Sequence, residues 1–286
     1  MQNRVEENQV QFRIVTVVEN RVPQGLTPLL GEHGQAFFID CGDRQLLFDT
    51  GQGLSLLHNA DALGIDLCTI NAVVLSHGHF DHAGGLLHLL QRTADFDLFA
   101  HHDAFERKMV NVRGTLFPVG VNDDRAALEN AGVRLQLASG PQEIMPGVIA
   151  TGSIPRRNEF EEIEPIFFCG QPGAECHDSL EDDQALVLDT HKGSVILMGC
   201  AHSGLINTLH HVAEITGCSK VHAILGGLHL EHAGQDRIER MLAHLREFEV
   251  DRMVVGHCTG MRPTAQLMNV LGDRVCANQV GYELVI

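Results

Sequence analysis

Long apolar runs are missing from this chain of 286 residues. None approaches the ~20 consecutive apolar residues that a membrane-spanning helix needs, which argues against a membrane partner. The first ten residues, MQNRVEENQV, contain neither an apolar core nor a cleavage-site pattern. They therefore do not predict a secretory signal peptide. From these two absences we expect a cytoplasmic protein.

Basic residues are scarce as well. Lysine and arginine together number 20 against 37 acidic residues, which gives a net charge of −17. Because proteins bind phosphate backbones through basic surfaces, this balance argues against a nucleic-acid partner. A negative net charge of this size is typical of a protein whose charge keeps it in solution. We expect a small-molecule substrate as the partner, and a homodimer is left open.

Closely spaced cysteine pairs are also absent. The eight cysteines include no C-x-x-C pair, and in a reducing compartment most of them are expected to be small buried hydrophobic residues. Histidine, in contrast, is abundant, with 18 residues. These histidines are scattered along the chain rather than gathered in a tail. Many follow short apolar runs, where strand ends place functional side chains.

Hydrophobic patterning predicts strand hairpins early in each half of the chain, followed by alternating strands and helices. The strands predicted for the two hairpin regions are Val10–Val18, Ala36–Asp40, Gln45–Asp49, Ala185–Asp189 and Ser194–Met198. This order fits two packed sheets with helices outside, an α/β fold of the four-layer αβ/βα sandwich type, better than one doubly wound sheet. Because no repeat or linker is evident, we expect a single domain over residues 1–286.

Two stretches show little regular patterning. Residues 101–137 are looser and more polar than their surroundings. Residues 153–183 form a long segment rich in Glu, Pro and Gly. Loops of this length are uncommon inside compact domains and often act as lids. We therefore expect the second stretch to be a functional loop.

Residues 73–85 begin with an apolar strand, and a dense group of potential metal ligands follows that strand. The segment carries His-x-His-x-Asp-His and leads into a helix. Imidazole and carboxylate groups suit Zn²⁺ and neighbouring metals. His77 and His79 are two positions apart on an extended segment, so they point to the same side and can hold one ion. Asp81 and His82 lie in the next turn and face another direction, which predicts a second ion nearby.

This strand–HxHxDH–helix element resembles the signature of the metallo-β-lactamase superfamily, and the resemblance runs from about Val10 to the C-terminus. The motif FDTG at 48–51 and the motif VVGH at 254–257 also resemble superfamily motifs. The resemblance implies the same four-layer fold. It also implies that Asp49 orients ligands from behind the metal site and that His257 binds the second ion.

The middle of the chain departs from the usual superfamily pattern. Many members carry a Gly-His ligand where this chain has Val148–Ile154, a stretch without histidine. Cys200 stands near the place of the usual bridging aspartate, and His202 follows two residues later. We expect His202 to take over the missing ligand role. Whether Cys200 binds metal or only packs is left open.

Three glycine-containing motifs narrow the resemblance to one branch of the superfamily. They are GCAHSG at 199–204, GGLHL at 226–230 and GHCTG at 256–260. Together they resemble the branch that includes archaeal 7,8-dihydropterin-6-yl-methyl-4-(β-D-ribofuranosyl)aminobenzene-5′-phosphate synthases and related metal-dependent hydrolases. The triplet Glu32-His33-Gly34 resembles the same branch.

The metal motif and the resemblance together imply a metal-dependent hydrolase. A metal-bound hydroxide in a two-metal site would attack a small-molecule ester, amide or phosphoester. The expected ligands are His77, His79 and His202 for one ion and Asp81, His82 and His257 for the other. Two divalent transition-metal ions are expected, with Zn²⁺ first and Fe²⁺ or Mn²⁺ as alternatives, because this ligand set accepts all three.

We also expect catalytic and substrate-binding residues at or near these ligands. The catalytic candidates are Asp81, Asp49 and His229, and the substrate-binding candidates are Glu32, His33 and Arg156. His229 follows an apolar strand and a Gly-Gly turn, so it could protonate the leaving group, and whether it instead binds metal or contacts the substrate is left open. Arg156 lies in the long loop and could clamp an anionic substrate.

Two alternatives to hydrolysis stay open. One is a transferase of the synthase type, in which the same ions activate a substrate without hydrolysing it. The other is a metal-dependent ligand sensor without turnover, which the missing middle histidine keeps in consideration.

Overall fold

The computed structural model describes residues 12–121 and 124–286. Its strands are β1 (Arg13–Val18), β2 (Ala36–Asp40), β3 (Gln45–Phe48), β4 (Ile70–Val74), β5 (Asp97–Ala100), β6 (Lys108–Val112), β7 (Thr115–Pro118), β8 (Arg134–Leu137), β9 (Gln142–Met145), β10 (Val148–Ala150), β11 (Phe167–Cys169), β12 (Cys176–His177), β13 (Ala185–Leu188), β14 (Ser194–Met198), β15 (Lys220–Gly226), β16 (Glu249–Val255), β17 (Val275–Ala277) and β18 (Glu283–Val285). Its α-helices are α1 (Leu56–Leu63), α2 (Phe80–Ala83), α3 (Leu86–Leu89), α4 (Asp124–Ala131), α5 (Leu205–Thr216), α6 (Gln235–His244) and α7 (Met261–Leu271). Residues 10 and 11 of the first predicted strand lie outside the described residues.

Two large sheets and one small sheet contain these strands. The first large sheet has the order β18-β1-β2-β3-β4-β5-β8, and the second has the order β17-β16-β15-β14-β13-β10-β9. In each, an antiparallel hairpin leads into parallel strands, β2–β3 before β4 and β5, and β13–β14 before β15 and β16. Both hairpins occur where the sequence predicts them.

Alternation along the strands places apolar side chains in separate core layers. Phe37 and Phe48 lie in the core between the two large sheets, whereas their neighbours Phe38 and Leu47 lie in the core that contains residues of α1 and α3. A third core layer joins the second sheet to α5, α6 and α7. Because strand side chains alternate between the two faces of a sheet, both sheets can be covered on both sides. The predicted αβ/βα sandwich is confirmed.

The two stretches with little regular patterning contain the strands of the small third sheet, which the sequence did not predict, although most of residues 153–183 is irregular as expected. β6 and β7 lie within residues 101–137, together with α4 and β8, and β11 and β12 lie within residues 153–183. β11 pairs with β6, a strand far away in sequence. Strands of two to five residues are too short to give a periodic pattern, and the pairing of β11 with β6 joins segments far apart in sequence. The long segment is therefore anchored by a sheet.

No helix in the described part of the chain is long and apolar enough to cross a membrane.

Candidate metal centre

The candidate site lies where parallel strands of both large sheets end. Asp49 directly follows β3, and His77 follows β4 after two residues. In the second sheet, Cys200, His229 and His257 follow β14, β15 and β16. Parallel strands end at a common edge, which is where α/β proteins bind ligands. The topology thus brings distant parts of the chain together.

Backbone strain is concentrated at this edge. The φ angles of Asp49, Ala201, His229 and His257 are positive, at 63°, 53°, 48° and 45°. A non-glycine residue in this conformation costs ~1–3 kcal/mol and persists where the surrounding structure holds it, commonly at functional sites. Of the six non-glycine residues with positive φ among the described residues, these four lie at this edge, which marks it as a functional site.

His77, His79 and His202 form the first group of potential ligands. Their ligand atoms all lie within 4.8 Å of one another, and Nε2 of His77 is 3.0 Å from Nδ1 of His79. Nε2 of His202 is buried and has no hydrogen-bond partner among the described residues. Burial lowers the pKa of His79 to about 3 and holds the pKa values of His77 and His202 well below their usual range. These imidazoles are neutral, as metal ligands must be, and the group fits a metal ion.

Asp81, His82, Cys200 and His257 form the second group, again with all ligand atoms within 4.8 Å of one another. Nε2 of His82 lies 3.2 Å from the Cys200 Sγ and 3.2 Å from Nε2 of His257. The Asp81 Oδ2 is 3.3 Å from the same His257 nitrogen. Carboxylate, imidazole and thiolate are all zinc ligands. The structure thus brings the three expected residues together and adds Cys200.

A hydrogen-bonded chain behind the two groups sets the orientation of their rings. The Asp49 Oδ2 lies 2.7 Å from Nδ1 of His82 and accepts a 2.7 Å hydrogen bond from the Ser76 hydroxyl. The Ser76 Oγ is in turn 2.9 Å from Nδ1 of His77. Protons on the two Nδ1 atoms satisfy this chain and leave both Nε2 atoms free to bind metal. The structure thus places Asp49 behind the two groups, in contact with His82 and linked through Ser76 to His77.

Replacing Asp49 by asparagine should weaken metal binding by about 10–100-fold, the usual effect of losing such an orienting group. The amide keeps the size of the carboxylate but removes the charge that faces His82 and Ser76. Competition with a chromophoric chelator measures the affinity. Asp43→Asn, in the exposed β2–β3 turn, is the matched control. Equal affinities in the two variants would contradict the orienting role.

His257 is held by the loop after β1. Its backbone N–H donates to both carboxylate oxygens of Glu19, at 2.9 and 3.0 Å, and its Nδ1 lies 3.0 Å from the Asn20 Oδ1. Glu19 is fully buried. These contacts fix the strained backbone of His257 and leave its Nε2 for the second group.

A buried ion pair supports the HxHxDH loop from the other side. The Gly78 N–H donates to the Asp182 Oδ2 at 2.8 Å. Lys108 Nζ donates to the Asp182 Oδ1 at 2.8 Å and to the Asp178 Oδ2 at 3.1 Å. Burial lowers the pKa of Lys108, but the two carboxylates outweigh burial and raise it above its usual value. Through Lys108, the small sheet is tied to the loop that carries His77 and His79.

Removing the Lys108 ammonium should destabilise the fold by about 3–5 kcal/mol, because it leaves two buried carboxylates without their cation. Lys108 is only 2% exposed, so solvent cannot replace the lost contact. The free energy of unfolding of Lys108→Ala, from urea denaturation, measures the effect. The control is Lys192→Ala, in the exposed β13–β14 turn. A loss for Lys108→Ala no greater than for the control would contradict this account.

A cavity of about 410 Å³ opens over both ligand groups. Besides the candidate ligands, its walls are formed by Asn20, His33, Phe80, Val110, Val119, Glu164, Phe167, His229, Glu231, His232 and Cys258. Phe167, on β11, stacks on His79 with ring centroids 5.2 Å apart. The anchored long segment thus supplies one wall of the cavity.

Two of the predicted substrate contacts are corrected by the structure. Glu32 is buried outside the cavity, where its two oxygens accept hydrogen bonds from the N–H groups of Gln52 and Ser55 and hold the loop after β3. Arg156 lies in a neighbouring depression and not in the cavity wall. Its guanidinium is drawn to Glu181, at 3.6 Å, and to the Leu180 carbonyl on the same segment.

The other two predicted site residues line the cavity. Nε2 of His33 is 3.3 Å from the Asp81 Oδ2. The His229 ring lies 4.3 Å from the His202 ring, centroid to centroid, and its Nε2 faces the Glu164 Oε1 at 3.8 Å. Burial lowers the pKa of His229, but interactions with Cys258 and Glu164 outweigh it and raise the pKa to about 10.

Sequence reasoning missed several residues of this site. Ser76 and Cys258 are direct neighbours of predicted ligands, so their adjacency was an available signal. Glu19, Asn20 and Lys108 reach the site through tertiary contacts, and no motif in the sequence marks them.

Comparisons with known proteins agree with this geometry. Residues 30–257 match the family described as the Metallo-beta-lactamase superfamily. The 7,8-dihydropterin-6-methyl-4-(beta-D-ribofuranosyl)-aminobenzene-5'-phosphate synthase of Methanocaldococcus jannaschii is 30% identical over 277 residues, covering 90% of this chain and 90% of that protein. The predicted resemblance to the synthase branch is confirmed by this relative.

Solved structures share the fold. The structure of Tm1679, a metal-dependent hydrolase of the beta-lactamase superfamily, has a TM-score of 0.82 and 28% identity, covering 96% of this chain and 99% of that chain. Zn²⁺-bound PqqB from Methylobacterium extorquens has a TM-score of 0.56 and 18% identity, covering 95% and 99% of the two chains, and shows the fold alone. The chain therefore belongs to the metallo-β-lactamase superfamily, a metal-dependent superfamily whose members are generally enzymes.

Proposed function

We propose that this protein is a hydrolase that uses two divalent transition-metal ions, with Zn²⁺ as the first candidate, to cleave a small-molecule ester, amide or phosphoester. One observation carries the proposal: two adjacent groups of buried ligand atoms lie at the base of one cavity. His77, His79 and His202 would hold one ion, and Asp81, His82 and His257 the other. The Nε2 of His202, which has no hydrogen-bond partner in the part of the chain that the structure describes, supports this fit.

The ions, when bound, would activate water as a nucleophile and polarise the carbonyl or phosphoryl oxygen of the substrate. The chain itself would supply orientation. Asp49 and Ser76 would hold the rings of His82 and His77, and Asn20 would hold the ring of His257. Such preorganisation lets the site stabilise developing charge without rearranging during the reaction.

His229 is proposed as the general acid. It lines the cavity beside His202, and its raised pKa means that it carries a proton at neutral pH. Glu164 faces Nε2 and would keep the ring turned towards the cavity. A proton held there could pass to the leaving group as the bond breaks.

The size of the cavity favours a small substrate. Its volume of about 410 Å³ lies within the usual range for small-molecule sites. Apolar side chains of Phe80, Val110, Val119 and Phe167 line the cavity together with the ligand groups and would exclude water around the substrate.

Hydrolysis can be tested with a panel of small chromogenic esters, amides, phosphomonoesters and phosphodiesters. The Zn²⁺-loaded protein should turn over at least one class, lose that turnover with a chelator and regain it when Zn²⁺ is restored. His229→Gln should lower kcat more for substrates with a poor leaving group than for those with a good one. Failure to hydrolyse any class faster than buffer, with both ions bound, would contradict the proposal.

A transferase is the second candidate, favoured by the 30% identity to the synthase over 90% of both chains. The metal site would then help to join a dihydropterin that carries a leaving group on its 6-methyl carbon to a ribofuranosylaminobenzene phosphate, with release of that leaving group. Mass spectrometry of a reaction containing both compounds would detect the joined product. Formation of that product without net hydrolysis of the dihydropterin donor would favour the transferase over the hydrolase.

A further inference from the structure

Three motifs that are typical of this branch of the superfamily contain side chains that do not belong to the first or second ligand group. They are GCAHSG at 199–204, GGLHL at 226–230 and GHCTG at 256–260. Each follows a different parallel strand of the second sheet, and each contributes one side chain to a third cluster. The cluster consists of Cys200, His229 and Cys258, whose ligand atoms all lie within 4.8 Å of one another.

The backbone around this cluster makes room for the Cys258 thiol. A Cβ on Gly227 would lie only 2.5 Å from the Cys258 Sγ, so a larger residue at that position would displace the thiol. The backbone N–H of His229 donates to the same Sγ at 3.3 Å. These contacts hold the sulfur between His229 and Cys200.

The imidazole of His229 has a nitrogen available for this cluster. Its Nε2 faces Glu164, whereas its Nδ1 is buried and has no hydrogen-bond partner within residues 12–121 and 124–286. Burying such an atom without a partner is costly, and a metal ion would satisfy it. The carboxylate of Glu164 would then orient the ring from its other side, as carboxylates do for zinc-binding histidines.

We propose that Cys200, His229 and Cys258 bind a third divalent transition-metal ion, with the Cys200 thiolate bridging to the second ligand group. Thiolate and imidazole ligands select Zn²⁺ over Mg²⁺ and Ca²⁺. Two cysteines and one histidine also form a known type of zinc site that keeps its fourth position open. His229 and Cys258 both line the cavity, so the open position faces it.

Binding of this ion is balanced by loss of protons. Each of the two thiols loses its proton as its Zn–S bond forms, and the His229 ring loses the proton on Nδ1 as the Zn–N bond forms, so one Zn²⁺ replaces three protons, which pass to solvent. No oxidant or reductant is involved. The inference goes beyond the proposed hydrolysis, because it concerns metal binding and does not depend on turnover. With this ion bound His229 is a neutral ligand, and its general-acid role belongs to the protein that holds two ions.

Metal stoichiometry tests the proposal. The wild-type protein, saturated with Zn²⁺ and freed of excess metal, should contain three ions per chain by elemental analysis. Cys258→Ser should contain two, and His229→Ala should also contain two. Cys276→Ser, in β17 and away from the site, is the matched control and should contain three. Two ions in the wild-type protein, or three in Cys258→Ser, would overturn the proposal.

A measurement on the wild-type protein alone removes any dependence on how the variants fold. X-ray absorption at the zinc edge should show a sulfur shell at about 2.3 Å, the usual Zn–S distance. With Cys200 bridging, the shell should average about one sulfur per zinc, whereas a two-ion site with Cys200 alone would average about half. The lower value would overturn the third site. Three ions without hydrolysis of any substrate would count against the proposed function and leave this inference standing.

Discussion

Replacing His202 by alanine should remove one of the metal ions and lower turnover by at least ~10³-fold, because a catalytic metal contributes several kcal/mol to transition-state stabilisation. His202 supplies the third imidazole of the first ligand group, and its Nε2 is buried without another partner among the described residues. Two histidines alone would leave the ion with an incomplete tetrahedral site. Elemental analysis and a steady-state assay measure the two effects.

His211→Ala is the matched control for this variant. His211 is also a buried histidine, but it lies on α5 and contacts the Thr151 carbonyl instead of the ligand groups. Its loss should leave metal content unchanged. If His202→Ala kept its full metal content while remaining folded, the first ligand group would have to be reassigned.

Asp81→Asn should release the second ion and again lower turnover by at least ~10³-fold. The Asp81 Oδ2 lies within 3.6 Å of Nε2 atoms of three imidazoles, those of His82, His257 and His33. Burial raises the pKa of this carboxyl, but these histidines outweigh burial and hold the pKa well below its usual range. The side chain is therefore a carboxylate, and the amide variant has nearly the same shape but a weaker ligand.

Asp189→Asn serves as the control for this substitution, because Asp189 is exposed and directly follows β13. It should keep wild-type metal content and turnover. Retention of all metal in Asp81→Asn would show that His82, His257 and Cys200 suffice for the second group. In that case a chelator titration would give equal metal affinities for the two variants.

Much of the candidate site could be predicted from one segment of the sequence. His77, His79, Asp81 and His82 lie within six residues, so their relative placement depends on local strand and turn geometry. Asp49 and His257 were recognisable because each ends a short apolar strand in a motif of the superfamily. Patterns of this kind are carried by neighbouring residues and do not need the fold to be known.

Single-residue roles outside the motifs were harder to predict. The expected substrate clamp at Arg156 was wrong because the side chain lies outside the cavity, where its guanidinium contacts Glu181 and the Leu180 carbonyl on the same segment. The small third sheet was missed because β6 and β11 pair across more than fifty residues. Neither outcome is encoded in a periodic pattern, since both depend on which segments meet in space.

The sequence by itself determined the superfamily, the sandwich architecture and the core of the metal motif, because strand alternation and the ligand spacing are local properties. The tertiary structure alone decided which distant groups complete the site. It placed Cys200 in the second ligand group, brought Cys258 to His229, and buried Lys108 against Asp182 behind Gly78. These contacts arise where parallel strands of two sheets end at one edge, and only the packing of the sheets sets the distances between them.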